Sequence, residues 1–271
     1  MKIGGSPPFE VEQPIFLLNN QWKLSLELCH FCSEFNPSWS PQILQSQLHK
    51  LYKNLAKRVE GLGQEQDRLD TLIDYFFRQM GFNALDSSQL SLERCFLPYV
   101  LSCRQGPPEL LMLLFTTLAE KIDLRVQVMA CRKHFLLKVY IHERPQIVDV
   151  LNQGRCLQPY QIVDLINEGL DFASQELTTH CIVISYLNQL KARAKKEQHL
   201  QLLSLIHSYL MKYQPFNLRH ISERALVAYQ SGDYKKAAED IRSYFVYKSP
   251  EVTNYHLRKI YKLARRQIKD L

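Results

Sequence analysis

His134 and Asp149 are the residues whose types and placing could do chemistry together. His134 lies in Lys133-His134-Phe135, at the head of a β-rich stretch, and Asp149 closes the short apolar run Ile147-Val148. Adjacent strands would bring the imidazole to the carboxylate, fixing its tautomer and raising its basicity. Both follow a hydrophobic helix that opens at Gly106-Pro107-Pro108. The free N–H groups and dipole at such a helix start favour an anion. Helix, His strand, Asp strand is the chain order of a Cys-His-Asp triad. Here, however, the helix start offers Pro107, Pro108 and Glu109, and no thiol. Cys103, three residues before Gly106, is the candidate for a displaced nucleophile. Glu109 is the other candidate: in the first helical turn it would face His134, and a Glu-His-Asp set could bind a cation or polarise water. The structural alternatives are a His–Asp hydrogen bond that keeps two strands in register, a packed Cys103 and a solvated first-turn Glu109.

Other chemistries find little support. Cys29-His30-Phe31-Cys32 is a lone CxxC without a second ligand pair or a βαβ context, so the two thiols read as helix core and no metal site is expected. No Gly-Lys phosphate loop, Gly-rich dinucleotide turn, HExxH or nucleophile elbow occurs, and with 9 glycines in the chain no cofactor is expected. Seven cysteines, an odd number set mostly in apolar patterns, read as reduced thiols of a cytoplasmic protein. The longest purely apolar run, Leu110 to Phe115, is too short to span a bilayer, and the first residues lack a signal-peptide core.

These residues need elements to hold them. Helical spacing marks residues 21–35. A helix starting at Ser40-Pro41 has Ile43, Leu44, Leu48, Leu51, Tyr52, Leu55 and Val59 on one face, and another spans about 67–80 before Gly81. Residues 108–122 are apolar nearly all round, as in a buried central helix. Three strands are expected, at 124–128, 134–141 and 146–150, and the short gaps between them favour antiparallel pairing. Helix returns at 159–168. From about 177 the pattern is all helical. There Tyr213-Gln214-Pro215 and Lys248-Ser249-Pro250 lie 35 residues apart, and the second unit carries Ala225, Gly232-Asp233-Tyr234 and Ala237-Ala238. This approximates the tetratricopeptide pattern, with the first unit degenerate.

Charge is uneven. Residues 191–271 hold 17 Lys+Arg against 7 Asp+Glu, within a total of 34 against 27. In the last helix Arg258, Lys262, Arg265, Arg266 and Lys269 share one face, opposite Leu257, Ile260, Tyr261, Ala264 and Ile268. That face is either merely solvated or a docking surface for an acidic protein partner, with nucleic acid as the weaker alternative.

Together the motifs Phe76-Phe77-Arg78-Gln79-Met80-Gly81-Phe82, Leu92-Glu93, Arg104-Gln105-Gly106-Pro107-Pro108, His134-Phe135-Leu136 and Asp149, followed by the terminal helical repeats, resemble the SirB-type family of bacteria. Two departures stand out. The family's helix opening Gly-Ile-Pro-Ile-Ser is here Gly106-Pro107-Pro108-Glu109-Leu110, and its Pro-Gly-His-Phe is Arg132-Lys133-His134-Phe135. The resemblance implies an α+β fold: a transglutaminase-like domain, related to papain-like proteins, with a small antiparallel sheet at 1–175, then an all-α tetratricopeptide-like module at 176–271. It also implies relatives of cysteine transferases and proteases that lack the thiol, several of them associated with regulation. The expected function is therefore a non-catalytic adaptor or regulator acting through protein–protein contacts. The alternatives are a cysteine-dependent hydrolase or acyl transferase using Cys103, and a nucleic-acid-associated regulator using the basic helix.

Overall fold

The computed structural model describes residues 21–130, 135–167 and 179–269. Three helical segments come first: α1 (Gln21–Phe35), α2 (Pro41–Val59) and α3 (Glu65–Ile73). Ser40 caps α2 through its Oγ, which accepts from the Ile43 N–H at 3.5 Å, and Pro41 fills the first helical position. Leu44, Leu48, Leu51 and Leu55 of α2 are buried. Ile43, expected on the same face, is 61% exposed, because one residue back from Leu44 is a rotation of about 100°.

The helix expected at 67–80 is regular only to Ile73 and continues as a wider π-type turn over Asp74–Gln79. The Met80 N–H reaches back five residues to the Tyr75 carbonyl at 2.9 Å. This extra width lets three consecutive aromatics, Tyr75, Phe76 and Phe77, turn inward together.

Next come β1 (Asn83–Ala84), α4 (Leu97–Cys103), β2 (Gln105–Gly106) and α5 (Pro108–Lys121). β1 and β2 form a short parallel ladder that pattern reading did not anticipate, two residues being too few to show a period. α5 is the central helix, as its composition implies: every residue from Glu109 to Ala119 is buried. The sheet follows as β3 (Arg125–Ala130), β4 (Phe135–Ile141), β5 (Arg144–Asp149) and β6 (Arg155–Cys156), antiparallel in the order β3-β4-β5-β6. Gly154 makes the turn into β6 at φ +73, and a Cβ there would lie 2.7 Å from Phe77 Cε2.

The remaining helices are α6 (Pro159–Asn167), α7 (Thr179–Lys196), α8 (Leu200–Tyr213), α9 (Leu218–Gln230), α10 (Tyr234–Tyr247) and α11 (Tyr255–Lys269). The domain boundary expected at 175/176 lies outside the described residues. One continuous core joins α1–α5, the sheet, α7 and α8, with Tyr186, Leu187, Ile206 and Leu210 among its members. Polar ties accompany it. Tyr186 Oη donates to the Cys95 carbonyl at 3.0 Å, Tyr213 Oη to Glu27 at 2.7 Å and Tyr209 Oη to Glu34 at 2.7 Å. Smaller clusters around Ala225, Ala228, Ala237, Ile241 and Ala264 hold α9, α10 and α11 together. No helix among the described residues is long and apolar enough to cross a membrane.

Candidate functional site

The start of α5 is set by its first residues. Gly106 packs so closely on α4 that a Cβ would overlap the Val100 side chain. Pro107 takes an extended conformation, and Pro108 opens the helix where its missing N–H costs nothing. Glu109 follows as the second helical residue, 5% exposed. Its Oε1 accepts from Ser185 Oγ at 3.2 Å and from Gln189 Nε2, both on α7. Oε2 is buried without a hydrogen-bond partner. Burial pushes the carboxyl above its ordinary range, outweighing its own backbone N–H, Ser185, Gln189 and the field of Arg193. Glu109 is therefore not the solvated first-turn residue that its position in the sequence allowed. It anchors α5 to α7.

Asp149 ends β5, 5% exposed. Its Oδ1 accepts from the N–H groups of Leu151 (3.1 Å) and Asn152 (3.3 Å), and Oδ2 accepts from Asn152 Nδ2 at 2.6 Å. The carboxylate thus caps the 3-10 turn Val150–Asn152, which packs on α5. His134 lies outside the described residues, as does Cys131.

Cys103 is the last residue of α4 and is exposed, not packed. Arg104 follows in the left-handed region at φ 62 and caps that helix. Cys95 is buried in the turn before α4; burial pushes its thiol up to about 11, and Arg193 opposes that while Glu109 adds to it. Such a sulfur stays protonated at neutral pH. Cys29 and Cys32 are fully buried in α1, and burial raises Cys29 to about 12.

On α11, Lys262, Arg265 and Arg266 are exposed, whereas Arg258 is half-buried with its Nε unpaired, and the side chain of Lys269 lies outside the described set. Leu257, Ile260 and Ala264 are buried as the stripe implied, but Ile268 is 40% exposed.

Sequence reading missed one group entirely. His207 of α8 and His220 and Glu223 of α9 each bring one ligating atom within 4.8 Å of the others. His220 and Glu223 stand three residues apart on one helical face, a spacing visible in sequence; His207 is hidden because it occupies an otherwise apolar stripe.

The model of the transglutaminase-like superfamily matches residues 42–194, more than half of the chain. The chain belongs to that superfamily. Within it, the SirB-type resemblance holds. The chain is 24% identical over 216 residues to the UPF0162 protein of Haemophilus influenzae, spanning 77% of this chain and 80% of that protein. It is 22% identical over 241 residues to SirB1 of Salmonella typhimurium, spanning 84% and 87%, and equally to SirB1 of Salmonella typhi. A crystal structure of menin superposes over 82% of this chain and 64% of menin, less than two thirds of it, with a TM-score of 0.38 and 10% identity. In this superfamily member the start of α5 carries a buried carboxyl group, and Asp149 closes β5.

Proposed function

We propose that this SirB-type protein is a non-catalytic adaptor or regulator that works through protein–protein contacts. The observation that carries the reading is Glu109. At the helix start where a triad would place its thiol, this chain spends a carboxylate on holding α7 against α5. A group buried under a neighbouring helix is poorly placed to attack a substrate carbonyl.

On this reading α9 and α10 form a tetratricopeptide-like pair, with α11 packed against it. What supports that is the close approach of the helices over Ala225, Ala228, Ala237 and Ala238, with Asp233 capping α10 through a 3.0 Å bond from the Lys236 N–H. The exposed Lys262, Arg265 and Arg266 would meet an acidic protein segment.

A thiol-reactive probe at neutral pH tests the reading against the alternative of a displaced nucleophile. Slow labelling of Cys103, at the rate of a model thiol, is expected. Selective fast labelling of Cys103 would instead indicate a lowered-pKa thiolate and favour the enzyme. Heparin retention lost between 50 and about 200 mM salt would move the reading toward nucleic acid.

A further inference from the structure

The group missed in sequence lies between α8 and α9, away from α5. His207 is fully buried, and neither ring nitrogen has a hydrogen-bond partner; Nε2 stands 3.6 Å from Glu223 Oε2, outside hydrogen-bond reach. Buried imidazoles normally satisfy both nitrogens, so an orphaned pair calls for an explanation. His220 adds to it. Its Nε2 lies 2.8 Å from Gln214 Oε1, an oxygen that can only accept, so the proton sits on Nε2. Nδ1 then carries a lone pair, is buried and has no partner. An outer carboxamide oxygen that fixes the tautomer and leaves the inner nitrogen bare is how metal-ligating histidines are held.

We propose that His207, His220 and Glu223 bind one divalent transition-metal ion of the zinc class, with a fourth position open to the neighbouring cleft. Two imidazoles and a carboxylate are a donor set suited to such an ion. Ligands at about 2.0–2.1 Å from a tetrahedral ion lie about 3.4 Å from each other, so atoms now within 4.8 Å close by small side-chain rotations. The cleft beside them, about 560 Å³, is lined by His207 and Glu223 together with Lys195, Leu203, Leu226 and Gln230. It leaves room for a water or a ligand on the metal.

Three cations oppose the ion. Lys191 Nζ lies 3.0 Å from Glu223 Oε2, and Lys195 Nζ (3.4 Å) and Arg219 Nε (3.1 Å) engage Oε1. All three hold the carboxylate, and none is hydrogen-bonded to an imidazole nitrogen. Lys191 is the direct competitor, since its ammonium occupies the oxygen a metal would take.

That competition makes the test two-sided. Titrating the full chain with Zn²⁺ by calorimetry, and with Co²⁺ by visible absorption, should show one saturable equivalent with four-coordinate Co²⁺ bands. Lys191→Met should tighten binding by about tenfold. His207→Gln and His220→Gln should each abolish the Co²⁺ bands while far-ultraviolet circular dichroism stays unchanged. Absence of saturable binding in both the wild type and Lys191→Met would overturn the proposal. So would retention of the full equivalent in the doubly substituted His207→Gln/His220→Gln chain, which would place the metal on surface histidines.

Discussion

Removing Arg224 should strongly destabilise the packing of the C-terminal helices. Arg224 of α9 makes two charge-assisted bonds to Asp240 of α10, Nε to Oδ2 at 2.8 Å and Nη2 to Oδ1 at 2.6 Å, and its Nη1 donates to Ser208 Oγ of α8 at 3.2 Å. One guanidinium thus joins three helices. The Asp240 side chain is 8% exposed and that of Arg224 17%. Arg224→Met preserves the apolar stem and strands the carboxylate in a place it cannot leave for water. Breaking a buried pair this way costs about 3–5 kcal/mol. At this chain length that is a fall in Tm of about 6–20 °C. Asp240→Leu should cost less, because the longer guanidinium arm can turn outward to solvent. The double variant Arg224→Met/Asp240→Leu should recover most of the loss, since a well-packed apolar pair is often neutral or better. Urea unfolding of the four proteins gives the cycle. A loss below about 1 kcal/mol in Arg224→Met would mean a solvated surface pair and would refute the claim that it ties the helices together.

Two further substitutions probe the transglutaminase-like part. Gly154→Ala combines a left-handed φ of +73 with a 2.7 Å approach to Phe77, so it should destabilise by about 2–4 kcal/mol in thermal or urea unfolding. A loss under 1 kcal/mol would show that the β5–β6 turn does not press on the π-type segment. Glu109→Gln tests the buried carboxyl through pH. Burial raises the folded-state pKa of Glu109 above its unfolded value. The folded chain therefore holds that proton more tightly, and stability falls as pH rises from the unfolded value of 4.5 through the folded one. The Gln variant should match wild type at pH below that window and exceed it in Tm above it. An advantage that is the same at every pH would exclude charge burial as the cause.

Much of the fold was legible because the strongest signals were periodic. The nearly all-round apolar Leu110–Leu118 run announced a buried central helix, and the short gaps between three β-rich runs announced antiparallel strands. What stayed hidden was either too short for a period or made between distant residues. The two-residue β1–β2 ladder is of the first kind. The π-type turn at Asp74–Gln79 is a change of width that leaves the apolar pattern nearly intact. Glu109 is of the second kind: a carboxylate in a first helical turn reads as solvated, and only the packing of α7, 76 residues on, buries it. His207 is similar. Directly after Leu202-Leu203-Ser204-Leu205-Ile206 a histidine reads as one more buried residue, and its neighbours His220 and Glu223 come from the next helix. Asp149 was singled out for chemistry, and the structure adds the turn-capping role that its own neighbours Leu151 and Asn152 give it.

The most direct measurement is steady-state turnover of glutamine-amide and thioester acyl donors by the full chain, wild type beside His134→Ala and Cys103→Ser. A protein whose helix start serves as a structural anchor should give the same background rate in all three. Turnover well above that background, lost in both variants, would contradict the adaptor reading and make Cys103 and His134 the working pair of an acyl-transfer enzyme.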